Sequence, residues 1–149
     1  MKAKAQVQIK ASKEKVWRVI TDFDGCVVRI SAIDKIEVLN RPSDTLIGFK
    51  WRETRTMFGK TATETMTITE AVDNQYYATR AENHGMIYES RLSLMQSGEI
   101  TFLTMQFKGK GTTFFSKLLS KLMSSVFSRA TRKALQQDLE EIKVACEQS

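Results

Sequence analysis

The sequence predicts an α+β domain in which an antiparallel sheet is followed by one long C-terminal helix. Residues 47–108 alternate apolar and polar side chains in runs that turn clusters separate, which is typical of a strand meander. Residues 112–146 contain no glycine or proline and have a helical pattern, which corresponds to a helix about 50 Å long. The 149 residues include one proline and no linker-like stretch, so we expect a single domain over residues 1–149.

The first elements are short. Val7 and Ile9 alternate with polar residues and predict a strand over residues 5–11. Ser12 is placed to cap a helix that carries Glu14 in its first turn. After this helix, which residues 21–25 break, the pattern predicts a short helical segment over residues 26–32 and a strand over residues 33–39, ended by a turn cluster at residues 40–44.

The clearest signal is a hairpin of residues 47–57 and 60–70 around a tight turn at Phe58 and Gly59. The odd positions from 61 to 69 are all threonine, and β-branched residues at period two favour a strand. Further turn clusters predict strands over residues 76–82, 86–96 and 100–108, with the sheet ending at residues 109–111.

A two-residue turn fixes which residues of the hairpin face each other. The predicted pairs are Met57 with Lys60, Arg55 with Ala62, Glu53 with Glu64, Trp51 with Met66, and Phe49 with Ile68. All these side chains point to one face, and its apolar members indicate that this face is the concave, inner one.

Glu53 and Glu64 are the candidate catalytic residues because they are expected to lie directly opposite each other. Two carboxylates at that distance do not both ionise readily, so one of them should have a raised pKa. A protonated glutamate in an apolar cavity is suited to act as a general acid in a cyclisation or dehydration. Arg55, on the same side, would neutralise the pair or bind an anionic ligand head. The alternative is a partly solvated ion-pair cluster near the hairpin tip with no role in function.

Other inward-facing positions are candidates for contact with a ligand. Tyr88 and Ser90 would supply polar contacts in an otherwise apolar pocket, although Tyr88 also fits a core residue whose hydroxyl reaches solvent. Together with the hairpin, the predicted ligand-binding set is Phe49, Trp51, Glu53, Arg55, Glu64, Met66, Tyr88, Ser90, Leu92, Leu103, Met105, Phe107, Leu118 and Leu122.

Composition excludes several classes of function. The net charge is +6, but the basic residues are scattered among acids and the aromatic residues fall in core-like patterns, which disfavours a nucleic-acid partner. Cys26 and Cys146 have no metal or disulfide spacing, and with the loop residue His84 as the single histidine we expect no metal and no cofactor. The first residues do not form a secretory signal and no apolar run is long enough to span a membrane, so we expect a cytoplasmic protein.

Residues 11–23, Ala-Ser-Lys-Glu-Lys-Val-Trp-Arg-Val-Ile-Thr-Asp-Phe, resemble the start of the first helix in the START-like (SRPBCC) superfamily. Within it, the resemblance is to the polyketide cyclase/dehydrase and lipid-transport group, and the order of the later elements agrees along the whole chain. The resemblance implies a helix-grip fold, in which a curved seven-stranded antiparallel sheet wraps around the C-terminal helix and short helical segments follow the first strand. Asp24, Gly25 and Cys26 depart from the family pattern, so we expect the helical segment there to be irregular.

The resemblance implies a cavity for an apolar small molecule or lipid, but this fold hosts binding proteins, enzymes and regulators alike. The first hypothesis is therefore a non-catalytic carrier or sensor, and the second is a cyclase or dehydratase that uses Glu53 and Glu64 as general acid and base. The third is a protein-interaction module whose side chains fill the core. Whether the protein is an enzyme stays open at this stage. We expect a monomer or weak homodimer, with transient contact between the first half of the long helix and a membrane surface as a further interpretation.

Overall fold

The computed structural model describes residues 2–57, 59–83, 85–112 and 114–148, with the side chains of residues 114–127 left out of the description. It contains a seven-stranded antiparallel sheet and a long C-terminal helix, with short helices after the first strand. The elements are β1 (Lys2–Ile9), α1 (Lys13–Ile20), a 3-10 helix (Phe23–Gly25), α2 (Cys26–Arg29), β2 (Ile33–Asn40), β3 (Lys50–Met57), β4 (Lys60–Val72), β5 (Tyr76–Asn83), β6 (Met86–Ser97), β7 (Ile100–Gly111) and α3 (Phe114–Glu147).

The strands from β2 to β7 form a meander, and β1 joins its far edge beside β7, so the order is β1-β7-β6-β5-β4-β3-β2. The predicted α+β helix-grip architecture is confirmed. Lys2 of β1 pairs with Lys108 and Ile9 pairs with Thr101, so the first strand is held by residues about a hundred positions away. This pairing places the start of the chain beside the strand that leads into α3.

The segment after β1 follows the pattern that its residues predict. The Ser12 side chain accepts a hydrogen bond from the Lys15 backbone N–H at 3.2 Å and caps α1. Helix α1 buries Val16, Trp17 and Ile20. The predicted irregularity also occurs, because the chain forms one turn of 3-10 helix and then the single turn of α2, rather than a continuous helix over residues 26–32.

The predicted hairpin register is confirmed from Met57 opposite Lys60 to Trp51 opposite Met66. Phe58, at the turn itself, lies outside the described residues. Strand β3 begins at Lys50 rather than at residue 47, because Gly48 has a φ of 92° and leaves the extended conformation. Strand β7 extends beyond its predicted end at residue 108: Gly111 pairs with Met86, so β7 continues as far as its partner β6 and the sheet ends at Gly111.

The core lies between the concave face of the sheet and the helices. In its C-terminal half, α3 buries Leu135, Leu139, Ile142 and Cys146, and the helix packs mainly on β1 and β7. Within the described part of the chain, no helix combines the length and apolar character needed to cross a membrane.

Side chains of α3 also cover the outer edge of β1. The amide of Gln136 donates to the Gln6 carbonyl at 3.3 Å, and the Lys143 ammonium donates to the Gln8 carbonyl at 2.6 Å. The Glu147 carboxylate accepts from the Lys10 backbone N–H at 2.7 Å. Backbone groups that an edge strand would leave open are therefore satisfied by the helix.

Candidate functional site

The strongest polar feature of the concave face is a buried cluster of Glu53, Arg55 and Asp138. Glu53 and Arg55 lie two residues apart on β3 and so point to the same face, where Arg55 Nε donates to Glu53 Oε2 at 3.0 Å. Another guanidinium nitrogen of Arg55 donates to Asp138 Oδ2 of α3 at 2.7 Å. Trp51 Nε1 donates to the second oxygen of Glu53 at 3.3 Å. The cluster therefore joins β3, the second strand from one edge of the sheet, to the C-terminal half of α3.

Burial and mutual attraction both act on the ionisation of this cluster. Burial lowers the pKa of Arg55, but Asp138 and Glu53 more than compensate, so its pKa lies above the ordinary value. Burial raises the pKa of Asp138, and the opposing effect of Arg55 does not fully cancel it. Arg55 therefore stays protonated, with its charge divided between two carboxylates.

Glu64 lies directly opposite Glu53 on the neighbouring strand, as the hairpin register predicts. Its side chain is half-buried, and burial raises its pKa. The charge of Glu53 raises this pKa further, whereas a hydrogen bond from Asn83 and the charge of Arg55 lower it. Burial also raises the pKa of Tyr88 on β6, with a smaller contribution from Glu64. Glu64 is thus a carboxyl group with an enhanced tendency to hold its proton.

The alternative of a partly solvated ion-pair cluster does not hold for Glu53. Only 8% of the Glu53 surface is exposed, and its ion pair with Arg55 lies against α3 rather than beyond the end of the sheet. Of the predicted pair, Arg55 bonds Glu53, and its second bond goes to Asp138 rather than to Glu64. Neither a ligand nor an anionic head is needed to balance the charge of Arg55.

Asp138 is the residue of this cluster that the sequence reasoning missed. It is buried on the face of α3 that also buries Leu135 and Ile142, three residues before it and four residues after it. A carboxylate within an apolar helical stripe needs a cationic partner, because an isolated buried charge is costly. That spacing was a detectable signal, but it did not indicate which cation would meet Asp138.

Apart from Glu53, Arg55 and Glu64, the predicted ligand-binding residues fall into three groups. Phe49, Trp51, Leu92 and Leu103 are buried by contacts within the protein. Phe23 stacks on the Phe49 ring at 4.5 Å between centroids and packs against Trp51 at 4.8 Å, so these aromatic residues form core. The half-buried members are Met66, Tyr88, Ser90, Met105 and Phe107, whereas Leu118 and Leu122 belong to the side chains outside the described set.

Three of the half-buried members, Tyr88, Ser90 and Phe107, lie next to one another on the sheet. Tyr88 stacks on Phe107 with centroids 5.7 Å apart, and Ser90 pairs with Phe107 across β6 and β7. On its other side, Ser90 is hydrogen-bonded to Thr79 of β5. Apolar and aromatic surface with a few hydroxyl and carboxyl groups is the usual make-up of a small-molecule site.

Among the residues that the structure describes, the remaining reactive side chains do not form a second site. Burial raises the pKa of the Cys26 thiol to about 11, and the charge of Glu53 adds to the effect, so this thiol is not activated as a nucleophile. His84 lies outside the described residues. In the part of the chain that the structure describes, no group of His, Cys, Asp or Glu side chains is arranged to hold a metal ion.

A shallow cleft of about 320 Å³ lies elsewhere, between β1 and α3, and is lined by Gln6, Val7, Gln8, Glu140 and Lys143. Its lining is mostly polar, and the backbone carbonyls of Gln6 and Gln8 already accept hydrogen bonds from α3. This cleft does not suit an apolar ligand.

Comparison with known proteins gives consistent results. The family model described as polyketide cyclase / dehydrase and lipid transport matches residues 1–147. No curated protein sequence matches the chain. Several solved structures share the fold at low sequence identity, and three of them are described below.

The protein TTHA0849 from Thermus thermophilus is 16% identical, with a TM-score of 0.80 over 98% of this chain and 97% of its own. A START superfamily protein from Mycobacterium smegmatis is 17% identical, with a TM-score of 0.70 over 95% and 98% of the two chains. The Zhui aromatase/cyclase from Streptomyces sp. R1128 is 14% identical, with a TM-score of 0.75 over 98% and 93%. At these identities, the likeness concerns the fold.

Proposed function

Because this chain belongs to the polyketide cyclase/dehydrase and lipid-transport family, we propose that it binds an apolar small molecule or lipid between the sheet and α3 without catalysing a reaction. One observation carries the proposal. Met66, Tyr88, Ser90 and Phe107 face the inside of the sheet yet are only half-buried, whereas Leu103 and Leu139, where α3 packs on the sheet, are fully buried. Inward apolar surface that the protein leaves partly uncovered is what a ligand would cover.

The surroundings of Glu53 support a binding role over catalysis. Both of its carboxylate oxygens are engaged, one by the Trp51 indole and the other by Arg55. Arg55 is held in turn by Asp138. Groups that are paired in this way inside a protein stabilise its structure and are poorly placed to exchange protons with a ligand.

The proposal is tested by native mass spectrometry of gently purified protein, followed by denaturing extraction of any bound molecule. We expect a stoichiometric apolar adduct. The Ser90→Phe variant places a large side chain on the concave face and should lose the adduct. Ser93→Phe is the matched control, since Ser93 lies on the same strand but points to the opposite face.

If the wild-type protein carries no adduct and a library of lipids and polyketides does not raise its melting temperature, the proposal fails. An interaction module with a filled core would then be favoured. If Ser90→Phe kept the adduct at wild-type occupancy, the ligand would have to bind somewhere other than this face.

A cyclase or dehydratase is the second candidate, and the raised pKa of Glu64 favours it. A protonated Glu64 would donate its proton to a departing hydroxyl, which leaves as water, and the Glu53 carboxylate would accept a proton from the adjacent carbon. In an enzyme of this kind, Glu64→Gln or Glu53→Gln should abolish turnover of the extracted ligand while affinity is kept. If the extracted ligand is unchanged after incubation with wild-type protein, this candidate is excluded.

Other properties remain predictions from the sequence. They are the monomeric or weakly dimeric state, transient contact with a membrane surface through the first half of α3, and cytoplasmic location. Size-exclusion chromatography with light scattering, and flotation with lipid vesicles, would test the first two directly.

A further inference from the structure

We infer that the ligand site on the concave face accepts an apolar molecule with an uncharged or cationic polar end and rejects one that ends in a carboxylate or phosphate. This inference rests on the proposed function, because it names the class of ligand for the same site. The observation behind it is the balance of charge around Glu64 on the inner face of the sheet.

Among the described side chains, three carboxyl groups and one guanidinium group meet in this region. Glu53 and Glu64 pair across β3 and β4, and Asp138 reaches the cluster from α3. Arg55 is the cation, and it is already bonded to Glu53 at 3.0 Å and to Asp138 at 2.7 Å. The charge of Arg55 is thus more than balanced before any ligand arrives, and Glu64 adds a further carboxyl group.

An anionic ligand head would therefore meet like charge here. Bringing like charges together in a region shielded from water is strongly unfavourable. The other polar groups that the structure describes at this position are neutral: the Asn83 amide, which bonds Glu64, the Tyr88 hydroxyl, and the bonded hydroxyls of Thr79 and Ser90. None of these supplies a positive charge to hold a carboxylate or a phosphate.

A hydrogen-bond donor suits the same position. A hydroxyl or an ammonium group can donate to the Glu64 carboxylate, and an ammonium group also gains from the surrounding negative charge. The net charge of +6 points the other way and would suggest acidic lipids as ligands. However, Lys50 and Lys108 of the sheet are exposed and lie on the face opposite Glu64, so their charge acts at the outer surface and not at this site.

The test uses three probes that share a ten-carbon chain and differ in the polar end: decan-1-ol, decylamine and decanoate. Their affinities are measured by displacement of the uncharged dye Nile red at pH 7.5 and low salt. We expect decanoate to bind at least tenfold more weakly than decan-1-ol, and decylamine to bind as tightly as decan-1-ol or more tightly.

Variants locate the effect. Glu64→Gln replaces the carboxyl group with a neutral amide and should reduce the ratio of decylamine affinity to decanoate affinity severalfold. Glu70→Gln is the matched control, because Glu70 lies on the same strand but is exposed and paired with Arg91. The control should leave the ratio of decylamine affinity to decanoate affinity unchanged. The ranking of the three probes on wild-type protein tests the inference even if Glu64→Gln does not fold.

The outcomes separate this inference from the proposed function. Decanoate binding as tightly as decan-1-ol overturns the inference and leaves the proposed function standing. An equal reduction of this affinity ratio by Glu70→Gln also overturns the inference, because the effect would then come from the general surface charge. If none of the three probes displaces the dye, the inference fails, and the proposed function fails with it only when the wild-type protein also carries no apolar adduct.

Discussion

Arg55 is the side chain through which β3 and α3 are joined inside the molecule. It is bonded to one carboxylate on each element, and Glu53 and Asp138 are both buried. Removing one partner of such a group leaves the others charged and uncompensated, which costs more than the pair itself contributes. The stability of the fold should therefore be more sensitive to loss of Arg55 than to loss of an ordinary surface arginine.

We expect Arg55→Met to lower the free energy of unfolding by about 3 kcal/mol, because Glu53 and Asp138 would remain as unpaired buried carboxylates. Urea denaturation at pH 7 measures this change. Arg52→Met is the control, because Arg52 lies on the same strand as Arg55 but forms an exposed ion pair with Glu37 of β2. It should lower the free energy of unfolding by less than about 1 kcal/mol. Equal costs for the two variants would show that the cluster does not stabilise the fold.

Glu64 should make stability depend on pH in a defined direction. Burial raises its pKa in the folded state above the ordinary value of 4.5, so the folded protein binds the proton more tightly than the unfolded chain. The stabilisation is complete below the unfolded pKa, and it is lost as pH rises through the folded pKa. Glutamine does not ionise, so Glu64→Gln should become progressively more stable than wild type as pH increases above about 4.5.

Urea denaturation of wild type and Glu64→Gln at several pH values from 4 to 8 provides the measurement. Asp138, whose pKa is also raised, contributes a decline in the same direction but is present in both proteins. The difference between the two proteins therefore isolates Glu64. A difference that is constant across the whole range would contradict the prediction.

At the scale of elements, α3 does more than pack on the sheet. Its side chains at positions 136, 143 and 147 bond backbone groups on the outer edge of β1. An unprotected edge strand invites pairing with another chain, and natural proteins cover such edges. Here the covering groups are polar and lie within a single helix.

We expect the double variant Gln136→Ala, Lys143→Ala to lose about 1 kcal/mol of unfolding free energy and to aggregate faster, because two carbonyls of β1 would lose their donors. Chemical denaturation and light scattering on warming check the two effects. Lys133→Ala combined with Gln137→Ala is the matched control, since both residues are exposed on the same helix. A control that aggregates equally fast would point to general loss of surface polarity instead.

At the scale of the whole molecule, a ligand that covers the half-buried inner surface should raise the stability of the entire domain. Binding at a hundred times the dissociation constant contributes about 2.7 kcal/mol. For a chain of 149 residues this corresponds to an increase in melting temperature of roughly 8 °C. Differential scanning fluorimetry with the extracted ligand measures the shift, and Ser90→Phe should show little of it.

The sequence was most informative where structure is local. A two-residue turn fixes a hairpin register, and this turn alone is enough to predict that Glu53 lies opposite Glu64. Helix α1 was equally accessible because the Ser12 cap and the apolar positions lie within a few residues of one another. Contacts that depend on how separate elements pack against each other could not be predicted from the sequence.

The bond between Arg55 and Asp138 illustrates this limit. It joins residues 83 positions apart, and its formation depends on how α3 is rotated and translated against the sheet. The start of β3 shows a smaller version of the same effect, because the left-handed φ of Gly48 breaks an alternation that the residue pattern alone would continue.

The pairing of β1 with β7 has a consequence for the order of events when the chain is made. Residues 2–9 leave the ribosome before the rest of the sheet, yet their partners at 101–108 lie about 90 to 106 residues later in the chain. Closing so long a loop is entropically costly and slow. Until β7 emerges, β1 lacks its partner, and only its short alternating pattern disfavours pairing with a wrong strand. We therefore expect the lysines at positions 2, 4 and 10 to keep this unpaired segment soluble during synthesis, before β1 pairs with β7.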